Sequence, residues 1–323
     1  MATATTAVEA KSKALSPSRR RGYVWRQIKR SWQLYVFLAL PLAWLLVFMY
    51  YPMYGAQIAF RDFLPGRTIL GSEWVGMANF VRFFNSPLFE RLLTNTIGLS
   101  VYSLLVGFPI PILIALSLNQ LRTGIFKRGV QMISYAPYFI STVVMVGLIL
   151  QFLDLRRGPI NLLLQALGID TIHFMGSADM FPGIYVWSSV WQNTGFNTVI
   201  YMAALSTIDP ALHEAALVDG ANRLQRIRHI DIPGIMPITI TLLILNIGQL
   251  LNVGFEKAFL LQNPLNLKTS EVISTYVYKV GLVGGVANFS YAAAIGLFNA
   301  VLGLILLLAA NQISKKFSET NLF

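Results

Sequence analysis

Six stretches of at least 20 residues in this 323-residue chain contain no Asp, Glu, Lys or Arg: Leu34–Phe60, Asn95–Leu118, Met132–Leu153, Phe181–Leu205, Ile235–Phe255 and Tyr291–Ala310. A helix rises about 1.5 Å per residue, so about 20 apolar residues cross the roughly 30 Å of hydrocarbon in a bilayer. One such run could be the buried helix of a soluble protein. Six of them, separated by every charge in the chain, leave lipid as the solvent. Charged residues make up only 12% of the sequence, where a soluble domain carries about 25%. The sequence therefore predicts an all-α polytopic membrane protein with about six transmembrane helices.

An even number of spans puts both ends on one side, and Lys and Arg in short loops decide which side. The loops that share a side with the termini hold 16 of these residues and the alternate loops hold 9, so both termini are expected in the cytoplasm. The net charge of +11 does not point to nucleic acid, because much of the excess lies in Lys11–Arg30, directly before the first span. Basic residues there set topology and contact anionic lipid. The first run is too long for the core of a cleaved signal and shows no A-x-A-like cleavage site, so it reads as a retained signal anchor.

Several chemistries lack their residues. There is no cysteine, hence no disulfide, thiol nucleophile or Cys-ligated zinc. No Gly-Lys dipeptide occurs, so the phosphate loop of common ATPases is absent. His213-Glu214 begins like a zincin motif, but Leu217 stands where the second histidine belongs, and His173 and His229 have no ligand spacing. No metal site and no catalytic residue are expected. The spans hold no ionisable residue of the kind that marks proton relays or voltage sensors.

Residues 206–234, between the fourth and fifth runs, carry their own helix punctuation. Asp209 suits an N-cap, Pro210 a first helical position and Gly220 a left-handed turn. Asn222 can cap a second short segment that Pro233 is expected to end near Ile232. Helices of about nine residues do not persist alone in water, so something must hold them. Leu212, Ala215, Ala216 and Asp219 fall at helical spacing, which suits either docking into a partner's groove or packing on neighbouring spans.

The series Glu214, Ala215, Ala216, then Gly220, Ile230 and Pro233 resembles the EAA loop of bacterial ABC importer permeases, whose pattern is E-A-A, a glycine four residues after the second alanine, nine residues, and I-x-L-P. Ile232 replaces the usual leucine, and Ile227 stands where many sugar permeases have phenylalanine. The resemblance implies the type I ABC importer permease fold. It also implies that Glu214, Ala215, Ala216, Asp219, Gly220, Ile230 and Pro233 couple the chain to a separate ATP-binding subunit. ATP and Mg would be bound by two such partner subunits and no cofactor by this chain. A second homologous permease and an extracytoplasmic solute-binding protein would complete the assembly in a bacterial inner membrane. On this reading residues 1–33 are a basic cytoplasmic segment, 34–312 the permease domain with its coupling loop at 206–234, and 313–323 a cytoplasmic tail.

Trp74–Phe80 is similar to the "VG-x-x-NF" segment before the second span of carbohydrate permeases. Asn252–Glu256, Asn263-Pro264 and Thr275–Gly281 resemble the branch serving complex polysaccharides, alginate importers included. A sugar path needs polar groups and aromatic planes turned away from lipid. At 100° per residue, Asn246, Gln249, Asn252 and Glu256 share an arc of about 120° on the fifth span, and Trp187, Trp191, Thr194, Asn197 and Tyr201 share one on the fourth. Both arcs are candidates for the pathway. Asn, Gln and Thr also hold membrane helices together, and tryptophans anchor at interfaces, so packing and anchoring roles stay open for each residue.

Overall fold

The computed structural model describes residues 29–122, 124–283 and 287–317. The basic N-terminal stretch before Lys29 and the last six residues lie outside the described residues. The chain divides into two units, Met1–Gln57 and Ile58–Phe323.

Helix α1 (Trp32–Phe60) begins in the first unit and passes through a widened π turn at Leu46–Tyr50, just ahead of Pro52. Proline has no N–H to donate and its ring crowds the carbonyl four residues back, so one widened turn lets the helix continue across it.

In the second unit a two-residue hairpin, β1 (Arg61–Asp62) with β2 (Glu73–Trp74), follows directly. Trp74 stacks on Phe60 with centroids 5.6 Å apart, and Phe60 in turn meets Phe80 at 5.3 Å. Asn79 donates to the Ala59 carbonyl at 3.0 Å, so the Trp74–Phe80 segment seals residues 59–62 against α2 (Ala78–Phe84). Helix α3 (Phe89–Asn119) is the first long span of this unit.

The third apolar run, expected as one span, is bent in the structure. Helices α4 (Ile125–Tyr135) and α5 (Thr142–Phe152) meet at about 100°. Pro137 cannot donate to the α4 ladder, and Ser141 caps α5 by accepting from the Val144 N–H at 3.4 Å. After α6 (Pro159–Ala166) comes α7 (Phe181–Leu205), 25 residues long. Helix α7 packs along both halves of α3 and crosses α4 at Gly195, where an added Cβ would lie 1.9 Å from the Ser134 carbonyl oxygen. No side chain fits there.

The loop helix α8 (Pro210–Val218) leads to α9 (Arg223–Gly248). Pro233 does not end a separate second helix as expected. A π turn at Ile227–Asp231 precedes it, and α9 runs on as a candidate span, the same solution that α1 uses at Pro52. The helix stops instead at Gly248, inside the expected fifth span. Residues 249–254 turn before the short helices α10 (Phe255–Leu261), α11 (Leu267–Ser270) and α12 (Ile273–Tyr278). Helix α13 (Phe289–Phe317) closes the fold against α9, α12 and α2.

Among the described residues, four helices are long and apolar enough to cross a membrane, and the bent α4–α5 pair makes a fifth. The remaining expected span, the fourth run, is α7, whose Ser188, Ser189, Gln192, Asn193 and Asn197 dilute its apolar character. Buried side chains gather in separate clusters. One joins Leu99, Val146, Phe181, Tyr185, Val253 and Leu261; another joins Ala115, Leu116, Tyr201, Leu205 and Ile235. Large apolar side chains such as Leu105, Leu113, Leu304 and Ile305 are exposed on the outer faces, as lipid or a partner helix requires.

Candidate functional site: a central polar cavity and an exposed loop helix

The loop helix is built as its residues dictate. Asp209 accepts from the Ala211 N–H at 2.9 Å, and Pro210 occupies the first turn. At the other end Gly220 takes a φ of +77°, and the Ala221 N–H reaches back to the Ala216 carbonyl at 2.8 Å, a Schellman closure. Asn222 and Gln225 cap each other reciprocally at 2.9 and 2.7 Å, starting α9.

No residue of α8 is buried. Leu212, Glu214, Ala215, Leu217, Val218, Asp219 and Gly220 are exposed, Ala216 and Ile230 are half-buried, and Pro233 is exposed. His213 tethers the helix inward. His213 Nε2 lies 3.3 Å from Oδ1 of Asp231, which is fully buried, and Gln120 Nε2 donates to the other carboxylate oxygen at 3.1 Å. Gly234 lets Ile208 close over the start of the span, since a Cβ there would sit 2.5 Å from the Ile208 Cδ1.

A cavity of about 430 Å³ lies between α3, α7 and α9. Ser100 and Ser103 reach it from α3, and Ser189, Asn193, Asn197 and Tyr201 from α7. Asn246, Gln249 and Asn252 reach it from α9 and the turn that follows. Among the described residues the wall holds no Asp, Glu, Lys, Arg or His. Amides and hydroxyls both donate and accept, which matches a ligand rich in hydroxyls. Asn252 donates to Gln249 Oε1 at 2.6 Å, Asn246 to the Leu242 carbonyl at 2.8 Å and Asn193 to the Ser189 carbonyl at 2.9 Å. Each amide is thereby oriented and keeps further hydrogen-bonding capacity.

The cavity brings together Asn197, Tyr201, Thr194, Asn246, Gln249 and Asn252 from the two candidate arcs. It does not include Trp187, Trp191 or Glu256. Both tryptophans are about half exposed, and Trp187 Nε1 donates to the Tyr102 hydroxyl at 3.0 Å. Glu256 is exposed on α10, beyond the break at Gly248 that ends the helical arc assumed for the fifth span. Sequence reasoning passed over Ser189 and Asn193. With Asn197 they form an i, i+4, i+8 row whose signal was present, but the larger tryptophans drew the arc elsewhere.

It also passed over Lys257. This α10 residue is 6% exposed, and its ammonium donates to the Tyr185 carbonyl at 3.1 Å and to Ser189 Oγ at 2.7 Å. Burial pushes its pKa down to about 7. A second buried charge, Glu271, is paired differently, with Arg91 and with Lys279 at 2.7 Å, tying α3 to the segment before α12.

Residues 107–319 match the family described as "Binding-protein-dependent transport system inner membrane component". The chain is 43% identical over 290 residues to the polygalacturonan/rhamnogalacturonan transport system permease protein YteP of Bacillus subtilis (strain 168), covering 90% of each. Its fold matches, at a TM-score of 0.84 and 41% identity, a chain of a bacterial ABC transporter involved in the import of the acidic polysaccharide alginate, covering 92% of this chain and 100% of that one. The same score and identity hold for the bacterial alginate ABC transporter in complex with an alginate pentasaccharide-bound periplasmic protein, covering 92% of this chain and 99% of that one.

Proposed function

Since this chain belongs to the family of inner membrane components of binding-protein-dependent transport systems, we infer that it is the permease subunit of an importer for oligo- or polysaccharides. The cavity carries the reading. It lies between three long helices, is open to one side, and is lined by uncharged amides and hydroxyls. Such a wall suits a polyhydroxylated solute. Import then consists of exposing this site alternately to the two sides of the membrane, which requires differential affinity in the two states rather than covalent chemistry.

The loop helix supplies the mechanical input. Nine residues with no buried side chain gain little from their own packing, so α8 is preformed by its caps and tethered at His213 for a partner to grip. In this reading two ATP-binding subunits hold Mg-ATP, and one grips Glu214, Ala215, Ala216, Asp219 and Gly220. Ile230 and Pro233 carry the motion into α9. A second homologous permease completes the cavity, and an extracytoplasmic binding protein delivers the saccharide. The excess of Lys and Arg on the loops that share a side with the termini supports cytoplasmic ends and a cytoplasmic α8.

The test is co-expression with the candidate partner subunits, followed by reconstitution into vesicles with the binding protein and a labelled oligosaccharide. ATP-dependent uptake that fails when the ATP-binding subunits are omitted supports the reading. Turnover of a glycan by the purified chain alone, or no association with an ATPase, overturns it.

A further inference from the structure

The cavity wall is neutral, yet one cation stands directly behind it. Lys257 Nζ donates to Ser189 Oγ at 2.7 Å and to the Tyr185 carbonyl at 3.1 Å, and both residues line the cavity, as does Gly254 one turn earlier. Ser189 Oγ donates its own proton to the Tyr185 carbonyl at 2.9 Å, so its lone pair is free to accept from the amine. The ammonium also lies 5.1 Å from the centroid of the Tyr185 ring. An ammonium has three N–H groups, and two are used here.

What is missing is an anion. Among the described residues no carboxylate lies within 4.0 Å of Lys257, whereas the buried Glu271 has two cationic partners. Helix α5, which packs against α10, carries no charged residue, and the adjacent Glu256 is exposed rather than turned to the amine. A buried charge without a counter-ion is costly, and the cost falls when an anion enters the adjoining space. In a wall of low polarisability that attraction is only weakly screened by salt.

We propose that Lys257 is a specificity-determining residue of the cavity, selecting saccharides that carry carboxylates, the uronate-containing oligosaccharides. The proposal rests on the permease reading above. It assigns to Ser189 the role of holding the amine against the cavity wall. Neutral sugars would meet the same amides and hydroxyls without that gain.

Equilibrium binding to the purified complex in detergent, without the binding protein, isolates the cavity from the binding protein's own preference. The probes are tetragalacturonate and its fully methyl-esterified form, which keeps the hydroxyl pattern and removes the charge. The wild-type complex is expected to hold the acid roughly tenfold or more tighter than the ester. Lys257→Met is expected to erase that ratio while leaving ester binding in place, and Lys257→Arg to restore part of it. Equal affinity for acid and ester in the wild type, or a Lys257→Met complex that keeps the preference, overturns the proposal. Should Lys257→Met fail to assemble, the wild-type comparison decides alone. Binding of the ester without preference for the acid would sink this inference and leave the permease reading standing; absence of binding by either probe, together with no ATP-dependent saccharide uptake, would sink both.

Discussion

His213 of α8 and Asp231 of α9 meet at 3.3 Å, and Gln120 at the end of α3 donates to the same buried carboxylate at 3.1 Å. Three elements thus converge on one side chain with no exposed surface. Among the described residues this is the ion pair that ties the loop helix to the spans, and it helps to set the helix's position relative to them.

His213→Ala should therefore remove the ion-pair partner 3.3 Å from a buried carboxylate that keeps Gln120 as its hydrogen-bond donor, and so lower stability. The assembled complex is expected to melt earlier and to hydrolyse ATP with less dependence on saccharide. A double-mutant cycle with Asp231→Asn measures the coupling; additive effects of the two changes would show that the contact carries no energy.

Gly220 has a φ of +77° and open space around a built Cβ, so a substitution meets backbone strain and no collision. Gly220→Ala should cost about 1–2 kcal/mol at the turn, and Gly220→Asn less. Co-purification of the ATP-binding subunit should weaken in the same order, Ala more than Asn, as read by the subunit ratio in the isolated complex.

Gln249 and Asn252 support each other across the cavity wall through a 2.6 Å hydrogen bond. Replacing both with Leu removes two amides from the wall while keeping side-chain volume. Saccharide uptake should fall by at least about tenfold, the loss of roughly 1.4 kcal/mol or more of binding, with assembly unchanged. Loss of assembly instead would assign the pair to packing.

Burial lowers the Lys257 pKa to about 7 from 10.5. Between those values the unfolded chain binds a proton that the folded chain does not, so stability rises with pH over that window and the contribution is flat outside it. Without saccharide, the melting temperature of the wild-type complex relative to Lys257→Met should climb from pH 7 to pH 9. A constant difference across that range would mean that the amine is not desolvated.

How far the sequence could be read differs from place to place. The caps of α8 were legible because capping is local: Asp209, Pro210, Gly220 and Asn222 each act within a few residues. The bend at Ile140-Ser141 and the stop at Gly248 were not. An unbroken apolar run satisfies lipid whether it is straight or folded back, and hydropathy is blind to the difference. Pro233 misled for the opposite reason. A proline reads as a stop, but the π turn at Ile227–Asp231 absorbs its missing N–H.

Read alone, the chain specifies its solvent, its mostly helical character and the capped turn-and-helix segment, because charge-free runs and capping residues act through local chemistry. Only the tertiary structure decides which polar residues share a cavity. Asn193 and Asn252 are 59 positions apart in sequence, and whether they face each other depends on where α7 crosses α3 and where α9 breaks. Lys257 shows the same division: its type and number are plain in the sequence, but its burial behind Ser189 without a carboxylate arises from packing between segments distant along the chain.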